Sequence, residues 1–100
     1  MLFSLFKASG HSMEPKIKNG SFFIATIIPY LLSKPKIGDA VVFENDGKMI
    51  VKKLVKIEKG KYFIEGENRL DSKKFGPIEK KQIKGKVIIK IPNYLNYSNF

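Results

Sequence analysis

Turn-forming residues interrupt this 100-residue chain so often that no long helix fits between them. Gly10, Asn19-Gly20, Pro29, Pro35 with Gly38-Asp39, Asn45-Asp46-Gly47, Gly60, Gly66, Gly76-Pro77, Gly85 and Pro92 punctuate it. The runs between them are short and rich in β-branched and aromatic residues, which pack well on a pleated surface. Strands are predicted at about 3–9, 21–28, 40–44, 49–58, 61–65 and 85–91. Asp46-Gly47, between Val41-Val42-Phe43 and Met49-Ile50-Val51, is a hairpin signal, because a two-residue hairpin turn needs positive φ. Lys59-Gly60 marks a second tight turn before Tyr62-Phe63-Ile64. One helical turn is expected after Ser12 and another over Ile78 to Ile83. The expected fold is all-β: a compact, mostly antiparallel barrel or folded sheet with one or two short helical turns. The whole of 1–100 reads as a single domain, with its core at about 8–91 and a C-terminal tail at 92–100.

Composition narrows the chemistry. There is no Cys, which excludes a disulfide framework, a thiolate metal site and a Cys nucleophile. The single histidine, His11, excludes a multi-histidine metal site and leaves only carboxylates for a hard cation. No metal and no cofactor are expected. The net charge is +10, and Arg69 is the sole arginine among nineteen basic residues. Arginine supplies most bidentate phosphate and guanine contacts, so a lysine excess suits a nonspecific anionic surface better than base-specific DNA reading. An ordinary solvated surface accounts for it equally well. The longest apolar stretch, Phe22 to Leu32, has eleven residues and contains Pro29, whereas a spanning helix needs about twenty. Met1 to Phe6 is too short for a signal-peptide core. The expectation is a chain that is soluble or lies on a membrane without crossing it.

Gly10-His11-Ser12-Met13-Glu14-Pro15 is the first candidate for chemistry. A strand runs into a glycine, and a serine follows at the strand end. Gly10 can take a backbone angle closed to other residues and lets a substrate backbone come close. Met13 and Pro15 would anchor the turn, leaving the Ser12 hydroxyl exposed and its N–H free for a developing oxyanion. A plain turn-capping serine is the alternative. A serine nucleophile needs a base. Neighbouring side chains on extended backbone point to opposite faces, so His11 is poorly set to reach Ser12, and it reads instead as lining the substrate approach with Met13.

A lysine is the other possible base. Free lysine titrates near pH 10.4, and burial against apolar neighbours lowers that value. A shift of about three units costs roughly 4 kcal/mol, which the fold must supply. The run Met49-Ile50-Val51-Lys52-Lys53-Leu54-Val55-Lys56-Ile57 carries lysines inside an apolar strand. Alternation sets Ile50, Lys52, Leu54 and Lys56 on one face, and Val51, Lys53, Val55 and Ile57 on the other. The second face is the more apolar, which favours burying Lys53, and alternation does not settle which lysine is the base. An edge strand protected by lysines is the non-catalytic alternative.

These segments resemble the type I signal peptidase family. Gly10-His11-Ser12-Met13-Glu14-Pro15 resembles its nucleophile box, Gly-x-Ser-Met-x-Pro. Asn19-Gly20-Ser21 sits where that family has Gly-Asp before its second strand. Lys34-Pro35-Lys36-Ile37-Gly38-Asp39-Ala40-Val41-Val42-Phe43 is similar to its Pro-x-x-Gly-Asp-Val-Val-Val-Phe box. Val51-Lys52-Lys53-Leu54-Val55 looks like its lysine box. The stretch from Gly66-Glu67-Asn68 through Asp71-Ser72-Lys73-Lys74-Phe75-Gly76-Pro77 is similar to its last box. The pieces keep the family's order over about residues 8 to 90.

The resemblance implies an all-β Ser/Lys dyad peptidase that removes signal or leader peptides after small residues. Ser12 matches the nucleophile and Lys52 the general base, with Lys53 the alternative base. Gly10 stands where some members carry an extra oxyanion hydroxyl, so the oxyanion would rely on backbone. Asp71 and Ser72 match the box that braces the lysine. Glu67 replaces the usual Asp and Lys73 the usual Arg, the last box is shorter, and the usual insertion before it is absent, with Gly66 only fourteen positions after Lys52. The family's N-terminal membrane anchor is expected to be missing. In this compactness the chain resembles short members proposed to trim leader peptides, including the nickel superoxide dismutase maturation peptidases.

Two other readings stand beside this one. The LexA and phage-repressor autopeptidase domain shares Gly-x-Ser-Met and Val-Lys-Arg-Leu. It cleaves itself at a small-residue–Gly bond upstream of its serine, and no Ala-Gly or Cys-Gly precedes Ser12. Pro15 and Asp71-Ser72 also favour the signal peptidase side. A basic β-barrel binding nucleic acid or an anionic surface is the non-enzymatic reading, with Phe22, Phe23, Tyr62 and Phe63 as candidate base-stacking residues. For the peptidase, the expected partner is a peptide with small residues before the cleaved bond, and no nucleic acid is expected. Phe22, Phe23, Ile27, Ile28, Tyr30, Leu31 and Leu32, with Lys34 and Lys36 beside them, suggest peripheral contact with an anionic membrane. Residues 22–28 themselves suit a core strand. Membrane association is the expected location and the cytoplasm the alternative.

Overall fold

The computed structural model describes residues 2–68 and 76–91. Six strands form one sheet: β1 (Ser4–Lys7), β2 (Phe22–Thr26), β3 (Ala40–Asn45), β4 (Lys48–Glu58), β5 (Lys61–Glu65) and β6 (Ile83–Ile91). Their order is β1-β2-β6-β3-β4-β5, and every neighbouring pair is antiparallel. The chain is therefore all-β, and of the two expected forms it takes the folded sheet. The barrel is not closed, because β1 and β5 remain its two edges.

Local chemistry explains the hairpins. Asp46 and Gly47 both have positive φ, 52° and 76°, and join β3 to β4. Lys59 and Gly60 repeat the arrangement at 51° and 76° between β4 and β5. Paired positive-φ residues match the right-handed twist of the strands they connect.

Residues 28–32 depart from expectation. The reading of 21–28 as strand followed by a loop is corrected: β2 ends at Thr26, and Ile28–Leu32 forms the short helix α1. Pro29 sits in its first turn, where a missing N–H costs nothing. The Thr26 hydroxyl accepts the Ile28 N–H at 3.2 Å. The Tyr30 side chain turns inward and donates to Asp39 at 2.7 Å. The 3-10 turn Lys80–Gln82 falls within the predicted helical turn at 78–83. The region after Ser12 is a string of turns containing one helical hydrogen bond, from Ile17 N–H to the Met13 carbonyl at 2.9 Å.

β3 lies within the sheet and is buried on both faces. Val41 and Phe43 join Tyr30, Leu54, Tyr62, Ile64, Ile78 and Ile83 in one apolar cluster. Val42 faces the other way, into a cluster with Ala8, Met13, Ile17, Phe23 and Ala25. The second cluster matters for the site, because Met13 and Ile17 belong to the segment carrying Ser12. Burying each is worth about 1.5–3 kcal/mol, so the turn is anchored to the sheet by packing. The expected tail at 92–100 lies outside the described residues.

Candidate active site

The chain leaves β1 through buried Ala8, whose N–H donates to the Ser21 carbonyl and whose carbonyl accepts from Gly20, each at 2.8 Å. These two bonds pin the ends of the loop that holds Ser12. Gly10 sits at φ +95°, a region that L side chains rarely adopt, and turns the chain out of strand geometry. The Glu14 N–H donates to the His11 carbonyl at 3.1 Å, completing a tight turn around Ser12. Among the described residues, neither the Ser12 hydroxyl nor its backbone N–H is engaged in a hydrogen bond.

Ser12 and Lys52 line one cavity of about 300 Å³. Ala8 and Ser9 border it on one side, Met49 to Val51 on the other, and Phe23 and Val42 also contribute to its lining. Lys52 is only 4% exposed, although the bare alternation favoured burying Lys53. The reason is which face the sheet covers: Lys52 stands opposite fully buried Val41 of β3 and shares its face of β4 with buried Leu54. Lys53 is a third exposed and its ammonium lies 3.4 Å from Glu67. The two lysines, adjacent in sequence, thus have different surroundings.

The segment Gly66–Asn68 closes the site from outside the sheet. The Asn68 N–H donates to the Ser12 carbonyl at 2.7 Å, and its side-chain amide to the His11 carbonyl at 3.0 Å. A Cβ on Gly66 would stand 2.6 Å from the Ser12 carbonyl oxygen and 3.2 Å from its Cβ, so only glycine permits this approach. Glu67 Oε1 lies 3.3 Å from Lys16 Nζ of the Ser12 segment and 3.4 Å from Lys53 Nζ of β4. Burial alone would raise the Glu67 carboxyl, but hydrogen bonds from Lys16 and Lys53 outweigh it and hold the group below its ordinary range. Gly66 and Asn68 were missed as site residues. Their signal lies in the Gly66-Glu67-Asn68 start of the last box. Asp71 and Ser72 lie outside the described residues.

The other expected site residues fall in separate places. The His11 imidazole points to Glu14, with Nδ1 2.9 Å from Oε1, and is 57% exposed. Met13 is buried beneath the turn, and neither it nor His11 lines the cavity shared by Ser12 and Lys52. Of the candidate base-stacking residues, Phe23 and Tyr62 are core, Phe63 is half-buried, and Phe22 is exposed. Of the candidate membrane residues, Phe23 and Tyr30 pack inward, whereas Leu31, Leu32, Lys34 and Lys36 face solvent. No helix among the described residues is long and apolar enough to cross a membrane. Among the same residues, no three His, Cys, Asp or Glu side chains come together as a metal site.

No curated protein matches the chain. A family model does: residues 3–88, which include β1 and the Ser12 turn, Lys52 and the Gly66–Asn68 segment, match Peptidase S24-like. The chain therefore belongs to the peptidase S24-like family, whose kind is the serine peptidase or autopeptidase.

Proposed function

We propose that the chain is a serine endopeptidase that removes leader peptides after small residues, with Ser12 as nucleophile and Lys52 as general base. The observation that supports it is the meeting of a half-buried turn serine and a buried lysine in one cavity. Burial disfavours an ammonium and so favours the neutral amine that a base requires. Lys52 Nζ takes the Ser12 proton as Oγ bonds to the scissile carbonyl carbon. The Ser12 N–H, not engaged by any described residue, donates to the oxyanion. Collapse breaks the C–N bond, and Lys52 returns the proton to the leaving amine. Water, deprotonated by the same lysine, then hydrolyses the acyl-enzyme. An extended substrate would lie between the end of β1 and the start of β4, pairing by backbone, with the cavity taking its small side chains.

Incubation of the purified chain with a peptide carrying Ala-x-Ala tests this reading. Cleavage after the second Ala, abolished by Ser12→Ala, is the expected result. Turnover that survives Ser12→Ala overturns it. The S24-like match also supports self-cleavage as the second reading. A chain that shortens itself at a rate independent of its concentration, and leaves the added peptide intact, would favour that alternative.

The same reading includes peripheral contact with an anionic membrane. Its support is the exposed Leu31, Leu32 and Ile37 with Lys34 and Lys36 beside them, an apolar tip rimmed by cations.

A further inference from the structure

The nucleophile turn has an inner and an outer side. Its inner side is held by buried Met13 and Ile17 and by Asn68. Its outer side meets solvent, where packing supplies nothing, and the Ser12 N–H cannot help because catalysis needs it for the oxyanion. A different set of bonds runs along that side. One Glu14 oxygen lies 2.9 Å from His11 Nδ1, before Ser12. The other accepts the Asn19 N–H at 3.2 Å, where the chain returns toward the sheet. The Asn19 side-chain oxygen in turn accepts the Gly10 N–H at 3.0 Å. Gly10, His11, Glu14 and Asn19 thus form a closed polar ring around Ser12.

We propose that Glu14 is a positioning residue for Ser12, its carboxylate joining the two arms of the nucleophile turn and fixing the direction of the Ser12 hydroxyl and N–H. This rests on the peptidase reading above. Glu14 suits the role chemically. Two donors converge on it from opposite sides, and a carboxylate accepts from both at once, whereas an amide offers one acceptor and a set of donors. The hydrogen bond from His11, then that from the Asn19 amide, hold its carboxyl below the ordinary range, so it remains a double acceptor at neutral pH. Lys18 adds a favourable charge nearby. Fixing the turn beforehand matters because a misplaced nucleophile loses rate steeply with distance.

The test compares Glu14→Ala, Glu14→Gln, Asn19→Ala and the double variant Glu14→Ala/Asn19→Ala with the parent chain on the Ala-x-Ala peptide at neutral pH. Glu14→Ala is expected to lower kcat by about tenfold with KM within about twofold, because binding is retained and alignment is lost. Glu14→Gln should recover part of that loss. The double variant should lose little more than the worse single one, since both break the same ring. A Glu14→Ala chain with parental kcat overturns the proposal, as does a loss that follows the fraction unfolded. A second measurement does not depend on turnover. Amide hydrogen exchange at Gly10 and Asn19 should quicken in Glu14→Ala, and unchanged exchange there overturns the ring even if no peptide is cleaved. The peptidase reading fails separately, when the parent chain cleaves nothing or Ser12→Ala still cleaves.

Discussion

The carbonyl of Ser12 accepts the backbone N–H of Asn68 at 2.7 Å, across fifty-six positions of sequence. The Ser12 turn is therefore held from both sides: by the sheet through Met13 and Ile17, and by the Gly66–Asn68 segment from above. As the proposed nucleophile, a serine held this way loses little freedom when substrate arrives, which is where positioned catalytic groups gain their rate.

Gly66→Ala is the direct probe of that contact. The new methyl would stand 2.6 Å from the Ser12 carbonyl oxygen, so backbone must move. Overpacking of this kind costs about 1–3 kcal/mol, and here the displacement falls on the proposed nucleophile, Ser12. The expected outcome is a drop in kcat/KM of more than about tenfold, larger than the fall in Tm explains. Paired melting and peptide-cleavage measurements check it; parental activity contradicts it.

Glu67 links the Ser12 segment to β4 through Lys16 and Lys53. Its carboxyl is held below the ordinary range, so its folded-state value is depressed relative to the unfolded chain. Such a group contributes stability above the unfolded value, about pH 4.3 for Glu, and loses that contribution as pH falls through the folded value. Glu67→Gln should therefore destabilise the chain at neutral pH, with the difference shrinking toward zero in acid. Urea midpoints of both proteins across that range measure it. A difference that stays constant into acid contradicts the linkage.

Tyr30 and Asp39 tie α1 to the start of β3. The Tyr30 hydroxyl donates to Asp39 at 2.7 Å, Lys36 N–H donates to the same oxygen at 3.0 Å, and Lys86 Nζ lies 3.4 Å from the other. Burial, then the bond to Asp39, push the Tyr30 hydroxyl above its ordinary range and keep it a donor. Tyr30→Phe removes one bond but leaves Asp39 two partners, so a loss of about 1–2 kcal/mol is expected by denaturant unfolding. Asp39→Ala should cost more, because it strands the Tyr30 hydroxyl in the core. The reverse order contradicts this account of the junction.

The apolar tip at Leu31 and Leu32 makes a membrane prediction. Leu32 is 85% exposed, with Lys34 and Lys36 close in sequence. Leu31→Ser/Leu32→Ser should reduce cosedimentation with anionic vesicles several-fold and leave peptide cleavage unchanged. Parental binding that ignores anionic lipid content contradicts the assignment.

Much of this architecture was legible in the sequence because the controlling signals are local. Asp46-Gly47 and Lys59-Gly60 form their hairpins from φ preferences alone, and the predicted strands fall within a few residues of β1–β6. α1 was not legible. Its five residues are too few to show a helical period, and its anchor is the Tyr30–Asp39 bond nine positions away. The burial of Lys52 was hidden for a related reason, since its face is covered through pairing opposite Val41 of β3 rather than by anything in β4 itself. Ser12 was visible as a motif, but Gly66 and Asn68 became site residues only when folding brought them onto its backbone.

The central claim is that Lys52, not Lys53, is the base for Ser12. Lys52 is buried at the cavity, whereas Lys53 pairs with Glu67. The decisive measurement is kcat/KM on the Ala-x-Ala peptide for Lys52→Met and Lys53→Met, with each variant shown to be folded by its melting curve. Loss of at least about a thousandfold for Lys52→Met, with Lys53→Met within about tenfold of the parent, is the result this account predicts. A folded Lys52→Met chain that cleaves at the parental rate, or loss confined to Lys53→Met, would contradict it.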